Sequence, residues 1–404
     1  HYIRKFGNNS EFNIIYKSIN KNSDSIYTDY NSTEAYTGVN DFTESNRTSI
    51  STGVDWNSKK DSFFDGVKIQ AYSNEMQYEN EYQVRNTADA SDNENTFDDL
   101  NQDSIGINIQ LSNNIKGEKY NQKITYGFEG SKLDGSRLRT KVEIEDDTTS
   151  NYKSNPDSET TRLGFYIQDE ISIDKWDFIV GLRYENYDME ATSDAEWFAT
   201  DESTNDTDIQ LNNVGEPNDF SDDNFAPSLK ALYRYNDNTN IYAKYDRGFR
   251  APTWDEINSS RVGVYPLTFH PVFGFPLTYG GYQTQGNPNL KAETSNNFEI
   301  GLKNNNAKSD LSIAAFYSKY EDFLDKSADG GTSEITDPAN NTITVPVINT
   351  QNIDDVIIWG LELNNVYYFN ERDAGLSIGN SISYQKGEDE TEDEPLHTIQ
   401  PFTA

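Results

Sequence analysis

The chain has 404 residues, enough for two ordinary domains or for a single large β architecture. Its 68 acidic and 33 basic residues give a net charge of -35, which argues against nucleic acid as a partner because a phosphate backbone would be repelled. The absence of cysteine excludes disulfide bonds, thiolate metal sites and cysteine nucleophiles.

Alternation of apolar and polar residues is the dominant pattern along the chain, and a period of two predicts β-strands. In SIGINIQLS the apolar residues Ile105, Ile107, Ile109 and Leu111 face one way. In KWDFIVGLRYE the corresponding set is Trp176, Phe178, Val180, Leu182 and Tyr184. The same pattern recurs in GVKIQAYS, KITYGFEG, LGFYIQDEISI, SLKALYRY, NIYAKYDRG, NFEIGLK, DLSIAAFYSK, IIWGLELN and GLSIGNSISY.

The two faces of these segments predict a membrane wall. The polar face is rich in Gly, Asn, Gln and charged residues, as a water-filled lumen requires, and aromatic residues cluster near strand ends, as in the girdles of outer-membrane barrels. About fourteen segments of about ten residues fit this description, and that length suits a tilted membrane strand. We therefore predict an all-β fold, a transmembrane antiparallel β-barrel; the alternative is a soluble β-sandwich or a solenoid with decorated loops.

The connections support the barrel because they alternate in length. Short turns are predicted near residues 172–176 and 235–240. Long acidic loops are predicted for NTADASDNENTFDDLNQD, EDDTTSNYKSNPDSETT, SDAEWFATDESTNDTDIQLNNVGEPNDFSDD and DKSADGGTSEITDPANNTITVPVINTQN. The acidic runs EIEDD, near 143–147, and EDETEDE, at 388–394, are interpreted as solvated loop surface rather than as calcium sites, because no EF-hand spacing is present.

Four phrases in order resemble the barrel of TonB-dependent outer-membrane receptors. They are FYIQDEISIDKWDFIVGLRYENY, FAPSLKALYRYNDNTNIYAKYDRGFRAPTWDEI, GNPNLKAETSNNFEIGLK and IIWGLELN. Family members have about 22 strands around a plugged lumen, an N-terminal plug domain and a segment that contacts TonB. The resemblance implies that residues 1–404 are part of such a barrel, with the plug and the last aromatic strand expected outside this chain. A smaller, self-closed barrel is the alternative.

Within the family, the chain resembles most closely the subgroup that takes up haem, or haem from haemoglobin. Its members carry a FRAP phrase and an NPNL phrase on either side of a loop that contains a histidine. Here the phrases stand at 249–252 and 287–290, with His270 between them. The resemblance implies that residues 259–285 form an extracellular ligand-binding loop, that His270 is an axial ligand of haem iron, and that a second axial ligand comes from the plug.

The chemistry of the loop agrees with this interpretation, because a neutral imidazole is a common axial ligand of haem iron. The aromatic residues expected to cover a porphyrin are Tyr265, Phe269, Phe273, Phe275, Tyr279 and Tyr282. Prolines 266, 271 and 276 would stiffen the loop, and Arg250 or Arg261 would meet a propionate. The competing interpretation is a solvent-exposed His270 in an aromatic loop that binds protein without touching iron.

The function implied is capture of haem, or of haem from haemoglobin, and its import by TonB-coupled transport across the outer membrane of a Gram-negative bacterium. We expect a monomer in outer-membrane lipid that binds a haemoprotein, contacts TonB through the plug, performs no catalysis and has no intrinsic cofactor, since haem is the cargo. The alternative cargo is a ferric siderophore, another metal chelate or a glycan. An outer-membrane enzyme would need a base paired with a nucleophile near His270, and no such motif is present; a passive porin or adhesin would lack the four phrases.

Overall fold

The computed structural model describes residues 2–6, 10–27, 36–57, 63–86, 93–145, 147–198, 208–209, 215–269, 276–327, 330–336, 341–370, 372, 375–396, 399 and 402–403. These residues form 21 strands and one short helix. The first eleven strands are β1 (Tyr2–Phe6), β2 (Ser10–Tyr27), β3 (Tyr36–Asn57), β4 (Gly66–Asn86), β5 (Glu94–Lys116), β6 (Tyr120–Glu143), β7 (Thr148–Tyr152), β8 (Asp157–Ile173), β9 (Trp176–Thr192), β10 (Asp208–Ile209) and β11 (Phe220–Asn236). The remaining elements are β12 (Thr239–Arg250), α1 (Trp254–Asn258), β13 (Ser260–Phe269), β14 (Pro276–Gln285), β15 (Glu293–Asn305), β16 (Ser309–Ser327), β17 (Thr332–Thr336), β18 (Thr342–Tyr368), β19 (Ser377–Asp389), β20 (Glu394–Pro395) and β21 (Phe402–Thr403).

Fourteen strands of the described residues follow one another in a single wall, and every neighbouring pair is antiparallel. The spatial order is β1, β2, β3, β4, β5, β6, β8, β9, β11, β12, β15, β16, β18 and β19. The all-β antiparallel fold is therefore confirmed. No helix among the residues described above has the length and apolar character needed to cross a membrane.

The apolar side chains of the wall lie on its outer surface and are exposed. The exposed fractions are 58% for Ile105, 52% for Phe165, 48% for Val180, 58% for Ile300 and 54% for Leu361. Phe165 stands opposite Phe128 on one side and Tyr184 on the other, so the exposed residues continue from strand to strand as a band. In a sandwich these side chains would be buried against a second sheet, so that alternative is wrong, and the band has the character of a lipid-facing surface.

The opposite face of the wall is polar. Lys244 pairs with Glu299 across neighbouring strands at 2.7 Å, and Arg183 pairs with Glu129 at 2.7 Å. Glycines on this face lie beneath tyrosine rings of the next strand. The pairs are Tyr72 over Gly106, Tyr166 over Gly127 and Tyr242 over Gly301. A Cβ at any of these glycines would meet the ring at 2.5 Å or less, which explains why glycine is frequent on the polar face.

The strands are longer than predicted, and two of the predicted acidic loops are largely strand. β5 begins at Glu94 and runs for 23 residues, and β18 begins at Thr342 and runs for 27. Much of residues 86–103 and 325–352 is therefore paired backbone rather than loop, and the loop predicted at 145–161 contains β7 and the start of β8. Beyond the apolar band both faces of a strand meet water or other protein, so the alternation that marks a strand disappears there.

The alternation of short and long connections is confirmed by the element order. Residues 117–119, 174–175, 237–238 and 306–308 join consecutive wall strands in two or three residues at one end of the wall. The long connections, from β9 to β11, from β12 to β15 and from β16 to β18, lie at the other end. The predicted histidine loop belongs to the long-connection end.

Candidate ligand-binding hairpin

The segment between the FRAP and NPNL phrases is a β-hairpin rather than an irregular loop. β13 and β14 pair from Ser260 opposite Gln285 to Phe269 opposite Pro276. His270 follows the last residue of β13 directly and so stands, in chain order, in the connection between the two strands. His270, Phe273 and Phe275 lie outside the described residues.

The described aromatic residues of the hairpin divide between its two faces. Tyr279 packs against the buried side chains of Val262 and Val264. Tyr282 lies on the opposite face, with its ring across Gly263, where a Cβ would be 2.5 Å from the ring. Tyr279 and Tyr282 therefore do not line one surface.

Two further aromatic residues of the predicted set are placed by the backbone alone. Tyr265 stands opposite Gly280, and Phe269 ends β13. Their side chains are outside the described part of the chain.

Arg250 lies at the base of the hairpin rather than along it. Its Nη2 donates to Oε1 of Glu256 at 2.6 Å, and Oε2 of Glu256 accepts the backbone N–H of Thr253 at 2.9 Å. Glu256 thereby ties the end of β12 to the first turn of α1, an arrangement that satisfies a backbone donor of the helix start. A contact between Arg250 and a propionate stays a prediction.

The start of the NPNL phrase is bonded to α1 and to the residue that follows it, and these bonds form the neck of the hairpin. The Gly286 N–H donates to the Ser259 carbonyl at 2.6 Å, and the Asn287 N–H donates to the Glu256 carbonyl at 2.8 Å. Beneath these bonds lies the apolar cluster of Tyr187, Met189, Ile257, Leu290 and Leu324. Phe249 and Ala251 of the first phrase and Trp254 of α1 pack against that cluster. The phrases therefore fix where the hairpin leaves the wall.

Three asparagine side chains hold the chain around the neck by bonding to backbone groups. Asn258 accepts the Asn218 N–H at 2.7 Å and donates to the Asn218 carbonyl at 2.8 Å. Asn287 donates to the Thr350 carbonyl at 3.0 Å. Asn352 bonds to both the N–H and the carbonyl of Lys291, at 2.9 and 3.1 Å. The sequence did not reveal these residues, because only the fold shows which backbone groups an amide can reach.

The hairpin packs on the extension of β18 beyond the wall. Val262 and Val264 meet Ile335 of β17 and Val345 of β18, all of them buried. β14 also pairs in parallel with β18 through residues 283–284. The hairpin is thus held along its lower half as well as at its neck.

A family model described as TonB dependent receptor-like, beta-barrel matches residues 3–404. The chain belongs to the TonB-dependent receptor family. The receptor is similar to the "Hemoglobin-haptoglobin utilization protein B" of Neisseria meningitidis serogroup A, with 29% identity over 188 residues, covering 43% of this chain and 21% of that protein. It is also similar to the "Hemoglobin and hemoglobin-haptoglobin-binding protein" of Haemophilus ducreyi, with 29% identity over 197 residues, covering 44% of this chain and 18% of that protein. The matches thus span about a fifth of the length of these curated relatives.

Solved structures agree with the receptor in fold. The copper transporter OprC superposes with a TM-score of 0.64 at 14% identity, covering 98% of this chain and 56% of that one. The hemophore receptor HasR of Serratia marcescens, solved with its hemophore HasA and heme, superposes with a TM-score of 0.63 at 11% identity, covering 94% of this chain and 52% of that one. The wall of the receptor therefore has the fold of a TonB-dependent receptor β-barrel.

Two charged clusters stiffen the long-connection end of the receptor. Asp98 accepts a hydrogen bond from Arg137 Nε at 2.8 Å and another from Arg139 at 3.1 Å. Burial alone would raise the pKa of Asp98, but the hydrogen bonds and charges of the two arginines outweigh it and hold that pKa below its usual 3.8. Asp98 is thus ionised at neutral pH and keeps both arginines on the inner face of the wall.

The second cluster lies between the end of β9 and the turn before β8. Lys153 pairs with Asp157 at 2.8 Å and also with Asp194. Burial would raise the pKa of Asp194, but hydrogen bonds from Lys153 and from the Trp197 N–H lower it overall. The Trp197 indole is buried and donates to the Gly215 carbonyl at 3.0 Å, so this ion pair anchors the start of the long β9–β11 connection.

Proposed function

We propose that the chain is the barrel part of an outer-membrane receptor that binds haem, or haem carried by haemoglobin, and imports it by TonB-coupled transport. The observation that carries the proposal is the likeness to relatives named for haemoglobin and haemoglobin-haptoglobin, together with a hairpin that lies between the two phrases of that subgroup. The siderophore or other metal chelate is the competing cargo.

The hairpin suits a capturing element because its base is fixed before any ligand arrives. The neck bonds, the asparagine clamps and the packing of Val262 and Val264 on β18 hold its strands. A ligand bound beyond them would lose less free energy in ordering the protein. His270 is assigned as axial ligand of the haem iron, with Tyr282 on the face of the hairpin left free by the packing against β18.

The receptor performs no covalent chemistry in this proposal. Haem is the cargo and not a resident cofactor, and affinity comes from iron coordination and from burial of the porphyrin faces. The receptor resides as a monomer in the outer membrane of a Gram-negative bacterium. TonB contacts a plug segment, and the energy it delivers opens the path through the barrel.

The test is a haem titration of the full-length receptor in detergent, followed by the Soret band. The wild type is expected to bind one haem per hairpin site with a shifted Soret maximum. His270→Ala should weaken binding by at least about tenfold, equivalent to about 1.4 kcal/mol, and should change the Soret position because an axial nitrogen is lost. His397→Ala, which removes an imidazole elsewhere in the chain, is the matched control.

The possible outcomes test two points separately: whether haem is the cargo, and whether His270 is the residue that coordinates its iron. A Soret shift that His270→Ala leaves unchanged rejects His270 as the ligand but keeps haem as the cargo. Absence of any haem binding by a receptor that binds a ferric siderophore rejects the haem proposal itself. Growth of a receptor-deficient strain on haemoglobin as the iron source, restored by wild type and not by His270→Ala, links binding to import.

A further inference from the structure

A polar cavity of about 220 Å³ lies at the base of the hairpin, enclosed by elements that are far apart in the chain. The side chains on its walls include Arg261 of β13, Lys326 of β16, Arg137 of β6 and Asn155 of the turn between β7 and β8. The Ser260 N–H donates to the Ser154 carbonyl at 2.9 Å, which joins the hairpin to that turn. The cavity therefore lies between the hairpin, the β6 strand with the β7–β8 turn, and the β16 strand.

The two carboxylates on the cavity wall already have donors. Asp255 accepts the Thr253 hydroxyl at 2.6 Å, and Glu256 accepts Arg250 and the Thr253 N–H. Both belong to α1, so their charge is used in holding the start of that helix. Neither carboxylate accepts a hydrogen bond from Asn155 Nδ2 or from Lys326 among the described residues.

Two donors on the other walls, the Asn155 amide and the Lys326 ammonium group, have no acceptor among the described residues. Asn155 is 5% exposed, and its buried Nδ2 has no hydrogen-bond partner among the described residues. Lys326 makes no ion pair or hydrogen bond within the part of the chain that the structure describes. Arg261, on the hairpin side of the cavity, adds a second positive charge. An unpaired buried amide is destabilising, because it has lost its hydrogen bonds to water, so an acceptor at this point would be stabilising.

We propose that this cavity binds a small oxyanion, a carboxylate or a phosphate, through Lys326, Arg261 and the Asn155 amide. A charge-assisted hydrogen bond from a lysine or arginine to such an oxygen is about twice as strong as a neutral one. The volume holds about seven waters at ~30 Å³ each, which leaves room for a small anion with part of its hydration shell.

The anion is distinct from the ligand assigned to His270. Eight residue steps of β13 separate Arg261 from Phe269, which at ~3.3 Å per residue is about 26 Å of strand. The inference therefore does not depend on haem being the cargo. The anion would bridge the hairpin through Arg261, the wall through Lys326 and the β7–β8 turn through Asn155, and would hold the base of the hairpin more firmly.

The test is isothermal titration of the full-length receptor with citrate and, separately, with inorganic phosphate at low ionic strength. One saturable site for at least one of the two anions is expected, and the arm that binds identifies carboxylate or phosphate as the source. Lys326→Met should weaken that binding about ten- to a hundredfold, as expected for loss of a charged hydrogen bond. Lys326→Arg should retain most of it.

Lys308→Met is the control, because Lys308 is an exposed lysine of a short turn at the opposite end of the wall. It removes the same charge and should leave the affinity unchanged. Asn155→Leu replaces the amide with a side chain of similar size that has no hydrogen-bond donor, and it should also weaken binding. Heat of dilution alone with both anions, or equal affinities for Lys326→Met and Lys308→Met, would overturn the proposal and leave a cavity filled by water.

Discussion

The backbone N–H of Asn287 donates to the carbonyl of Glu256 over 2.8 Å and so joins the two ends of the candidate ligand-binding hairpin. Glu256 also holds Arg250, and Asn287 also holds the Thr350 carbonyl. The hairpin therefore leaves the wall through a closed neck, and changes at that neck should affect the hairpin without altering the membrane part.

Gly286 is the position of the neck that tolerates no side chain. A Cβ there would lie 2.3 Å from the Ile257 carbonyl oxygen, which is backbone and cannot rotate away. Gly286→Ala should destabilise the hairpin by about 1–3 kcal/mol, as overpacking does, and amide hydrogen exchange in β13 and β14 should become faster. Gly215→Ala is the control, because nothing lies within 4 Å of a Cβ at that residue. Equal exchange rates in the two variants would contradict the close approach.

The two described tyrosines of the hairpin should differ in effect because they lie on opposite faces. Tyr279→Ala removes a ring from the cluster of Val262, Val264 and Val345 and should destabilise the hairpin by about 1–3 kcal/mol. Tyr282→Ala leaves that cluster intact. Its expected effect is weaker haem binding with hydrogen exchange near that of the wild type. Faster amide hydrogen exchange in the hairpin of Tyr282→Ala but not of Tyr279→Ala would contradict this, because it would mean that Tyr282, and not Tyr279, is on the packed face.

The lipid-facing band predicts that a lysine will destabilise the fold at an outward-facing position and not at the adjacent inward-facing position, at the same depth in the membrane. Ile107 is exposed on the outer face, and Asn108 lines an inner cavity beside Glu129 and Glu185. Ile107→Lys should cost up to about 2–4 kcal/mol of folding free energy in lipid vesicles, because a charge faces hydrocarbon. Asn108→Lys should cost little. Urea unfolding in vesicles gives both values, and a larger loss for Asn108→Lys would mean that the faces are inverted.

The ion pair of Lys153 with Asp194 should make the β9–β11 connection sensitive to acid. Because the pKa of Asp194 is lower in the folded protein, its contribution is present above the usual value of 3.8 and is lost as the pH falls through the folded pKa. Below about pH 3.8, proteolysis near Trp197 should therefore accelerate. Asp194→Asn should show fast cleavage at pH 7 with little further change on acidification; a variant that retains the wild-type pH profile would exclude this pair as the cause.

The sequence predicted the part of the wall within the apolar band well and the part beyond that band poorly, for one physical reason. Between Ile105 and Leu111 one face meets lipid and the other water, so the side chains alternate and the strand is visible in the sequence. Between Glu94 and Asp103 both faces are polar, although the same strand continues. Backbone pairing with β4 and β6 decides the structure there, and pairing partners are not encoded locally.

The position of the hairpin along the chain was predicted from the sequence, whereas its strand pairing was not. The FRAP and NPNL phrases stand on either side of one hairpin, formed by β13 and β14. The division of Tyr279 from Tyr282 required knowing that the segment is a hairpin with one face packed on β18. The cavity with Lys326 and Asn155 is assembled from residues more than 170 positions apart in the chain, and nothing in the spacing of those residues indicates it.

β18 connects the hairpin to the barrel wall. Its first residues pair with β17 and β14. The same uninterrupted strand then continues between β16 and β19 as one strand of the barrel wall. Hinges form where a chain has loop residues that absorb dihedral change, and β18 has none over 27 residues. The hairpin is therefore attached to the barrel wall through one continuous strand, without loop residues at which the hairpin could bend independently of the wall.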